Sequence, residues 1–161
     1  MLKEQIFKLL EQDAHLTENQ IATILNVDEK RVHDIIRAAE KDGTISAYKA
    51  VVNWEKILPN HVVAMIELKV TPKRDTGFDA IARQIMAYKE VESVYLMSGG
   101  YDLLISVTGK SLQDVASFVA KRLSTIDGVL STATRFMLQK YKENGIDLCG
   151  GDEIERRTML L

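Results

Sequence analysis

Residues 17–43 read TENQIATILNVDEKRVHDIIRAAEKDG, and this stretch decides the architecture of the first third of the chain. Thr17 opens a capping box with Gln20: the hydroxyl accepts an early helical N–H, and the Gln side chain reaches back to the start of the helix. Ile21, Ile24 and Leu25 then recur at helical spacing and predict a helix of one to two turns. Asn26-Val27-Asp28 is the turn, with Asp28 as the next N-cap. Val32, Ile35, Ile36 and Ala39 predict a longer helix that Gly43 closes. Upstream, Leu2, Ile6, Leu9 and Leu10 predict a first helix, broken at Asp13-Ala14-His15-Leu16. Downstream, residues 44–52 are β-rich and alternating, which predicts a strand pair. Short helix, tight turn, longer helix and strand pair together make a winged helix-turn-helix pattern, whose turn spacing points to DNA. A small helical bundle that merely packs this way is the alternative.

Working outward, residues 53–60 read as a linker punctuated by Trp54 and Pro59-Asn60. Beyond it the order is strand, helix, strand, strand, helix, strand. Val62, Ala64, Ile66, Leu68 and Val70 face one way along the first strand, Glu67 and Lys69 the other. Phe78, Ile81, Ala82, Ile85 and Met86 form a helical stripe. Residues 91–97 and 103–108 are strands about the turn Ser98-Gly99-Gly100-Tyr101-Asp102. Leu112, Val115, Ala116, Val119 and Leu123 make a second helix, and a last strand is expected over 129–141. This βαββαβ order is a ferredoxin-like motif with both helices on one sheet face. The fold class is therefore α+β: a winged helix-turn-helix over 1–52, a linker over 53–60, a ferredoxin-like domain over 61–141 and a tail over 142–161. The uncovered sheet face carries apolar residues at period two, which predicts a dimer through the sheets. The tail ends in Met159-Leu160-Leu161 and reads as an arm that docks on a partner, or as a frayed end.

The 161 residues carry 21 Lys+Arg against 23 Asp+Glu, a formal net charge of −2, with 46% hydrophobic residues. That composition suits a globular chain with a core. No run approaches the roughly 18–20 apolar residues of a membrane span. The first residues lack the apolar segment of a secretion signal, so a cytoplasmic location without membrane association is expected. The single Cys149 excludes an intramolecular disulfide and a cysteine-rich metal site. Residues 1–58 hold eight Lys+Arg and ten Asp+Glu, so the whole charge deficit lies in the half expected to hold DNA. Binding per domain should then be weak and salt-sensitive, and joining several domains should be a requirement.

Over about residues 1–141 the chain resembles the Lrp/AsnC (leucine-responsive/asparagine, or feast/famine) transcription regulators. The likeness is carried by Leu25-Asn26-Val27, by Asp42-Gly43-Thr44-Ile45-Ser46-Ala47-Tyr48, by Ser98-Gly99-Gly100-Tyr101-Asp102, and by Gly128-Val129 followed by Ser131-Thr132-Ala133-Thr134. The resemblance implies a DNA-binding domain and a ligand-sensing domain, a homodimer through the sheets with dimers joining into octamers, and a small effector, commonly an amino acid, near dimer–dimer contacts. Two departures stand out. The stretch 32–37 of the third helix has one arginine where the family often has several, and Gly100 stands where the family's turn commonly has Asp.

The third helix would enter the major groove of double-stranded DNA. On or near its exposed side lie Glu29, Lys30, Arg31, His33 and Asp34. Lys30 and Arg31 suit guanine O6/N7 or phosphates, while Glu29 and Asp34 can accept from cytosine N4. Arg37 and Lys41 suit phosphates, and Lys49 on the wing suits the flanking backbone. The bland alternative is a solvated face of mixed charge. In the turn, free N–H groups about Ser98, Gly99 and Gly100 can hold a carboxylate and Asp102 an ammonium, a pairing that suits an α-amino acid. Tyr101 adds a ring wall, and Thr132 and Thr134 add hydroxyls. An ordinary hairpin turn, with Asp102 bonding backbone, is the alternative.

Catalysis finds little support. His15, His33 and His61 are scattered and share no metal-ligand spacing. There is no nucleophile elbow or phosphate loop, and Cys149 has no nearby base. Some proteins of this architecture are haem-pathway decarboxylases, but no His-Asn-Tyr-like segment is present. No enzyme activity, cofactor or metal is expected. A ligand-binding scaffold with a degenerate DNA-binding domain is the remaining alternative.

Overall fold

The computed structural model describes residues 1–149 apart from 59, 73, 75 and 76. The expected docking of Met159-Leu160-Leu161 lies outside the described residues. The chain divides into two compact units, Met1–Val51 and Val52–Leu161.

The first unit is α1 (Leu2–Gln12), α2 (Glu18–Leu25) and α3 (Glu29–Asp42). The capping box forms as its residues predict. The Thr17 hydroxyl accepts the Gln20 N–H at 3.2 Å, and Gln20 Oε1 accepts the Thr17 N–H at 2.8 Å. An N-cap of this kind stabilises a helix by about 0.5–2 kcal/mol. Asn26 ends α2 in the left-handed conformation, and the Asp28 carboxylate caps α3 by accepting the Lys30 N–H. One fully buried β-branched residue from each helix meets the others in the core: Ile6, Ile21 and Val32. Burying such a side chain is worth about 1.5–3 kcal/mol. The buried stripe of α3 is Val32, Ile36 and Ala39, so its opposite side is turned outward.

The strand pair expected over 44–52 does not form. A strand exists only where a neighbour pairs its backbone, and here local partners take those groups. The Thr44 N–H goes to the Asp42 carboxylate and the Ile45 N–H to the Ala39 carbonyl, while the Ser46 hydroxyl donates to the Gly43 carbonyl. The Asp42 carboxyl is held below its usual range, chiefly by the Thr44 side chain.

The second unit is built on β1 (Val62–Val70), α4 (Asp79–Met86), β2 (Val91–Leu96), β3 (Leu103–Gly109), α5 (Leu112–Phe118) and β4 (Val129–Phe136). The sheet order is β2-β3-β1-β4, antiparallel throughout. Ala64, Ile66, Leu68 and Val70 of β1 pack with Leu103, Ile105 and Val107 of β3 against Ile81, Ile85, Val115 and Leu123 from the helical side. The last turn after α5 widens to a π-helix over Val119–Leu123. β4 stops at Phe136 rather than reaching 141. Met137 makes the last bond to β1, at Val63, and β1 begins one residue earlier, so β1 offers no partner to 138–141.

Two further differences lie at the unit's edges. The expected linker contains a short 3-10 turn, Trp54–Lys56. The expected tail opens with a hairpin, β5 (Lys142–Glu143) and β6 (Ile146–Asp147), turned by Asn144 and Gly145, both at positive φ. Asn-Gly is the strongest short hairpin signal in sequence. Asn53 donates to the Leu148 carbonyl at 2.9 Å, fastening the end of this hairpin to the entry of the unit.

Candidate functional site

All eight charged residues singled out about α3 are exposed: Glu29, Lys30, Arg31, His33, Asp34, Arg37, Lys41 and Lys49. At about 100° per residue, Lys30, Asp34, Arg37 and Lys41 fall opposite Val32, Ile36 and Ala39, with Arg31 on the flank. They form one outward stripe. Three of the eight already have partners within the unit. Asn19 donates to Glu29 at 3.0 Å. The His33 ring nitrogen Nδ1 lies 2.9 Å from Glu18 Oε2. Arg37 is paired with Glu40 at 2.8 Å, and the Tyr48 hydroxyl donates to the same carboxylate. Burial first, and that bond to Glu40 second, push the Tyr48 hydroxyl's pKa up.

Lys30, Arg31, Lys41 and Lys49 take part in no ion pair among the described residues. The structure therefore separates the stripe into free cations and groups that brace α3 against α2 and the segment after it. The i,i+3 spacing of Arg37 and Glu40 could have been read from sequence. The Glu18–His33 contact, fifteen residues apart, could not.

The 98–102 turn joins β2 to β3. Ser98, Gly99 and Gly100 are exposed, while Tyr101 and Asp102 are half-buried. Gly99 has φ +125°, where an L side chain would be strained. Asp102 is bound in place three ways. Its N–H donates to the Leu68 carbonyl, its carbonyl accepts the Met97 N–H, and its Oδ2 accepts the Val70 N–H at 2.8 Å. The carboxylate thus completes the β3–β1 ladder. Its second oxygen has no hydrogen-bond partner among the described residues.

Thr132 and Thr134 stand opposite Leu68 and Ile66 in the β1–β4 register and are half-buried on the helix-covered side. Thr132 is level with Leu103 at the turn's end of the sheet and Thr134 two residues further in, with β1 between β4 and the turn. Two strand spacings put them about 10 Å apart.

The open face presents Val63, Met65 and Glu67 of β1 beside Leu104 and Ser106 of β3 and Ala133 and Arg135 of β4. Sequence reading did not single out its central pair. Arg135 donates through Nε and a terminal nitrogen to the two oxygens of Glu67, at 2.7 and 3.2 Å. This fork holds the Glu67 carboxyl below its usual range and raises the Arg135 guanidinium. Among the described residues no cluster of His, Cys, Asp or Glu is placed to hold a metal ion, and no helix is long and apolar enough to cross a membrane.

Comparison with known proteins follows the same division. Residues 2–46 match a family model described as winged helix-turn-helix DNA-binding, and residues 63–146 one described as the Lrp/AsnC ligand binding domain. The HTH-type transcriptional regulator YugG of Bacillus subtilis, itself described as uncharacterized, is 43% identical over 153 residues, covering 94% of this chain and 92% of that protein. The HTH-type transcriptional regulator FL11 of Pyrococcus furiosus is 27% identical, covering 88% of this chain and 91% of its own. Among solved structures, the fold matches AsnC of E. coli with a TM-score of 0.69 at 20% identity, covering 88% and 93% of the two chains. It also matches the Neisseria meningitidis regulator NMB0573 in complex with L-Met, with a TM-score of 0.72 at 19% identity, covering 88% and 92%.

Proposed function

The chain belongs to the Lrp/AsnC family of DNA-binding transcription regulators, and from that premise we propose how its own residues serve regulation. Members of this family are regulators rather than enzymes, with a helix-turn-helix unit for DNA and a second unit for a small effector.

The DNA reading rests on one observation: α3 follows a tight capped turn and turns outward Lys30 and Lys41, with Arg31 on the flank, none of them in an ion pair among the described residues. Lys30 and Arg31, at the start of the helix, read bases or bind phosphate. Lys41 and Lys49 bind the backbone to either side. Arg37 joins them by exchanging Glu40 for a phosphate. His33 and Glu29 act as braces and edge contacts, and Asp34 accepts from cytosine. The unit's acidic balance makes one copy a weak binder, so copies act together.

Assembly follows from the open sheet face, which a second copy covers to make a homodimer, with dimers joining into an octamer. The effector is a free amino acid. Its carboxylate sits on the exposed N–H groups about Ser98, Gly99 and Gly100, its ammonium on the unused oxygen of Asp102, and its side chain beside Tyr101. Thr132 and Thr134 come from the same end of the sheet of a neighbouring copy. The work is done in the cytoplasm. The effector acts only through a difference in affinity between assemblies or placements of the DNA-binding units. Sedimentation velocity with and without each amino acid, coupled to footprinting on the DNA upstream of the chain's own gene, tests this reading. A size or footprint change with at least one amino acid is expected. Indifference to all of them would remove the effector assignment.

A further inference from the structure

We propose that the second unit carries a binding cleft for a phosphorylated small molecule, separate from the 98–102 turn. β3 runs from that turn to Gly109, so the two places lie at opposite ends of the strand, about 20 Å apart. At the Gly109 end a cleft of about 790 Å³ opens between β3, α5 and the segment that enters β1.

Its electrostatics are unusual for this acidic chain. Lys89, Lys110, Lys121 and Arg122 all line it. None of the four is in an ion pair among the described residues. Glu90 and Asp114 also line the cleft, which leaves a formal charge of +2 with His61 neutral. Four cations lining one cleft without a carboxylate paired to any of them repel one another, and a multiply charged anion relieves that repulsion. A phosphate monoester carries about −1.5 to −2 at neutral pH and offers three strong acceptor oxygens. The two carboxylates suit hydroxyl or amine donors elsewhere on the ligand.

The walls call for an organic body as well as a charge. Exposed Leu58 supplies apolar surface at the mouth, and the edge of Phe118 adds to it above the buried Val107 and Val115. A Cβ on Gly109 would meet Val115 Cγ2 at 2.9 Å, so glycine there lets α5 pack close on β3 and close the floor. Arg122 is held over the Tyr88 ring at 5.6 Å, and Tyr88 stands edge-on to Phe118 with centroids 5.4 Å apart. Its guanidinium is thereby positioned before any ligand arrives. The volume lies in the range of organic-ligand pockets, about 300–1,000 Å³, and far exceeds what a bare phosphate fills. The remaining wall is Leu58 and His61, tied by a backbone bond of 2.9 Å.

Calorimetric titration of the full chain with adenosine monophosphate, phenyl phosphate, adenosine and inorganic phosphate tests the proposal. Both esters are expected to bind, at least about tenfold more tightly than inorganic phosphate or adenosine. The double substitution Lys121→Gln, Arg122→Gln should weaken ester binding at least about tenfold with an unchanged circular dichroism spectrum. Lys110→Gln alone should weaken it less, and Lys69→Gln, at the opposite end of the sheet beside the Leu68–Leu103 pair, should leave it unchanged. Absence of heat with either ester at millimolar concentration, adenosine binding as tightly as its monophosphate, or wild-type binding by the folded double variant would each overturn it.

Discussion

The Asp102 carboxylate accepts the Val70 N–H at 2.8 Å, so a side chain of the turn finishes the ladder between β3 and β1. Val70 is buried, at 4% exposure, and the Asp102 carboxylate is the acceptor of its N–H. Asp102→Ala leaves that donor unsatisfied and should destabilise the second unit by about 1–3 kcal/mol, read as a lower thermal midpoint. Asp102→Asn keeps an acceptor oxygen but removes the charge. It should melt like the wild type and lose any response to amino acids. A folded Asn variant that still responds would take the ammonium contact away from Asp102.

Arg31 is exposed and takes part in no ion pair among the described residues, so nothing in the fold depends on its charge. Arg31→Ala should leave the melting curve unchanged and weaken DNA binding by about 1–3 kcal/mol if it reads a base. If it binds phosphate instead, affinity should fall on all sequences alike and the salt dependence should flatten by about one counterion. Unaltered affinity and salt slope would remove Arg31 from the interface.

Leu104 sits in the middle of the open sheet face, paired on one side with Glu67 and on the other with Tyr95. Leu104→Lys places a charge where a second copy would lie, without touching the helix-covered core. Sedimentation should show smaller particles with an intact circular dichroism spectrum. Assemblies of wild-type size would move the interface elsewhere.

The Glu67–Arg135 fork gives that face a pH dependence of defined sign. Glu67 has its pKa lowered from 4.5, chiefly by the hydrogen bond from Arg135. The pair's contribution is therefore fully present above the unfolded pKa and is lost as pH falls through the lower folded value. Carboxyl chemical shifts should place the Glu67 midpoint below that of exposed glutamates, and Arg135→Gln should return it to the ordinary range. A midpoint that ignores the substitution would contradict the fork.

Much of the fold is legible because its signals are local. Thr17 with Gln20, Asp28 and Gly43 mark helix ends within a few residues, and Ala64, Ile66 and Leu68 show their shared face by alternation alone. The misses were decided by partners far away in sequence. Residues 44–52 have strand composition, but no neighbouring strand pairs with them. β4 stops where β1 runs out, at a residue no local pattern marks. Asn144-Gly145 is a local hairpin signal that lies inside a stretch whose charged, Gly-rich composition reads as a tail. The site divides the same way. Periodicity gives the outward stripe of α3, because the buried side fixes the exposed one. It cannot show that His33 meets Glu18 or that Asp102 meets Val70, since both contacts depend on how elements pack.

Recognition of DNA through α3 is tested by binding of this chain to the DNA upstream of its own gene across a salt series. A discrete complex is expected at low salt, one that survives excess unrelated DNA and weakens steadily as salt rises. No complex at any salt, or equal affinity for unrelated DNA throughout, would contradict it.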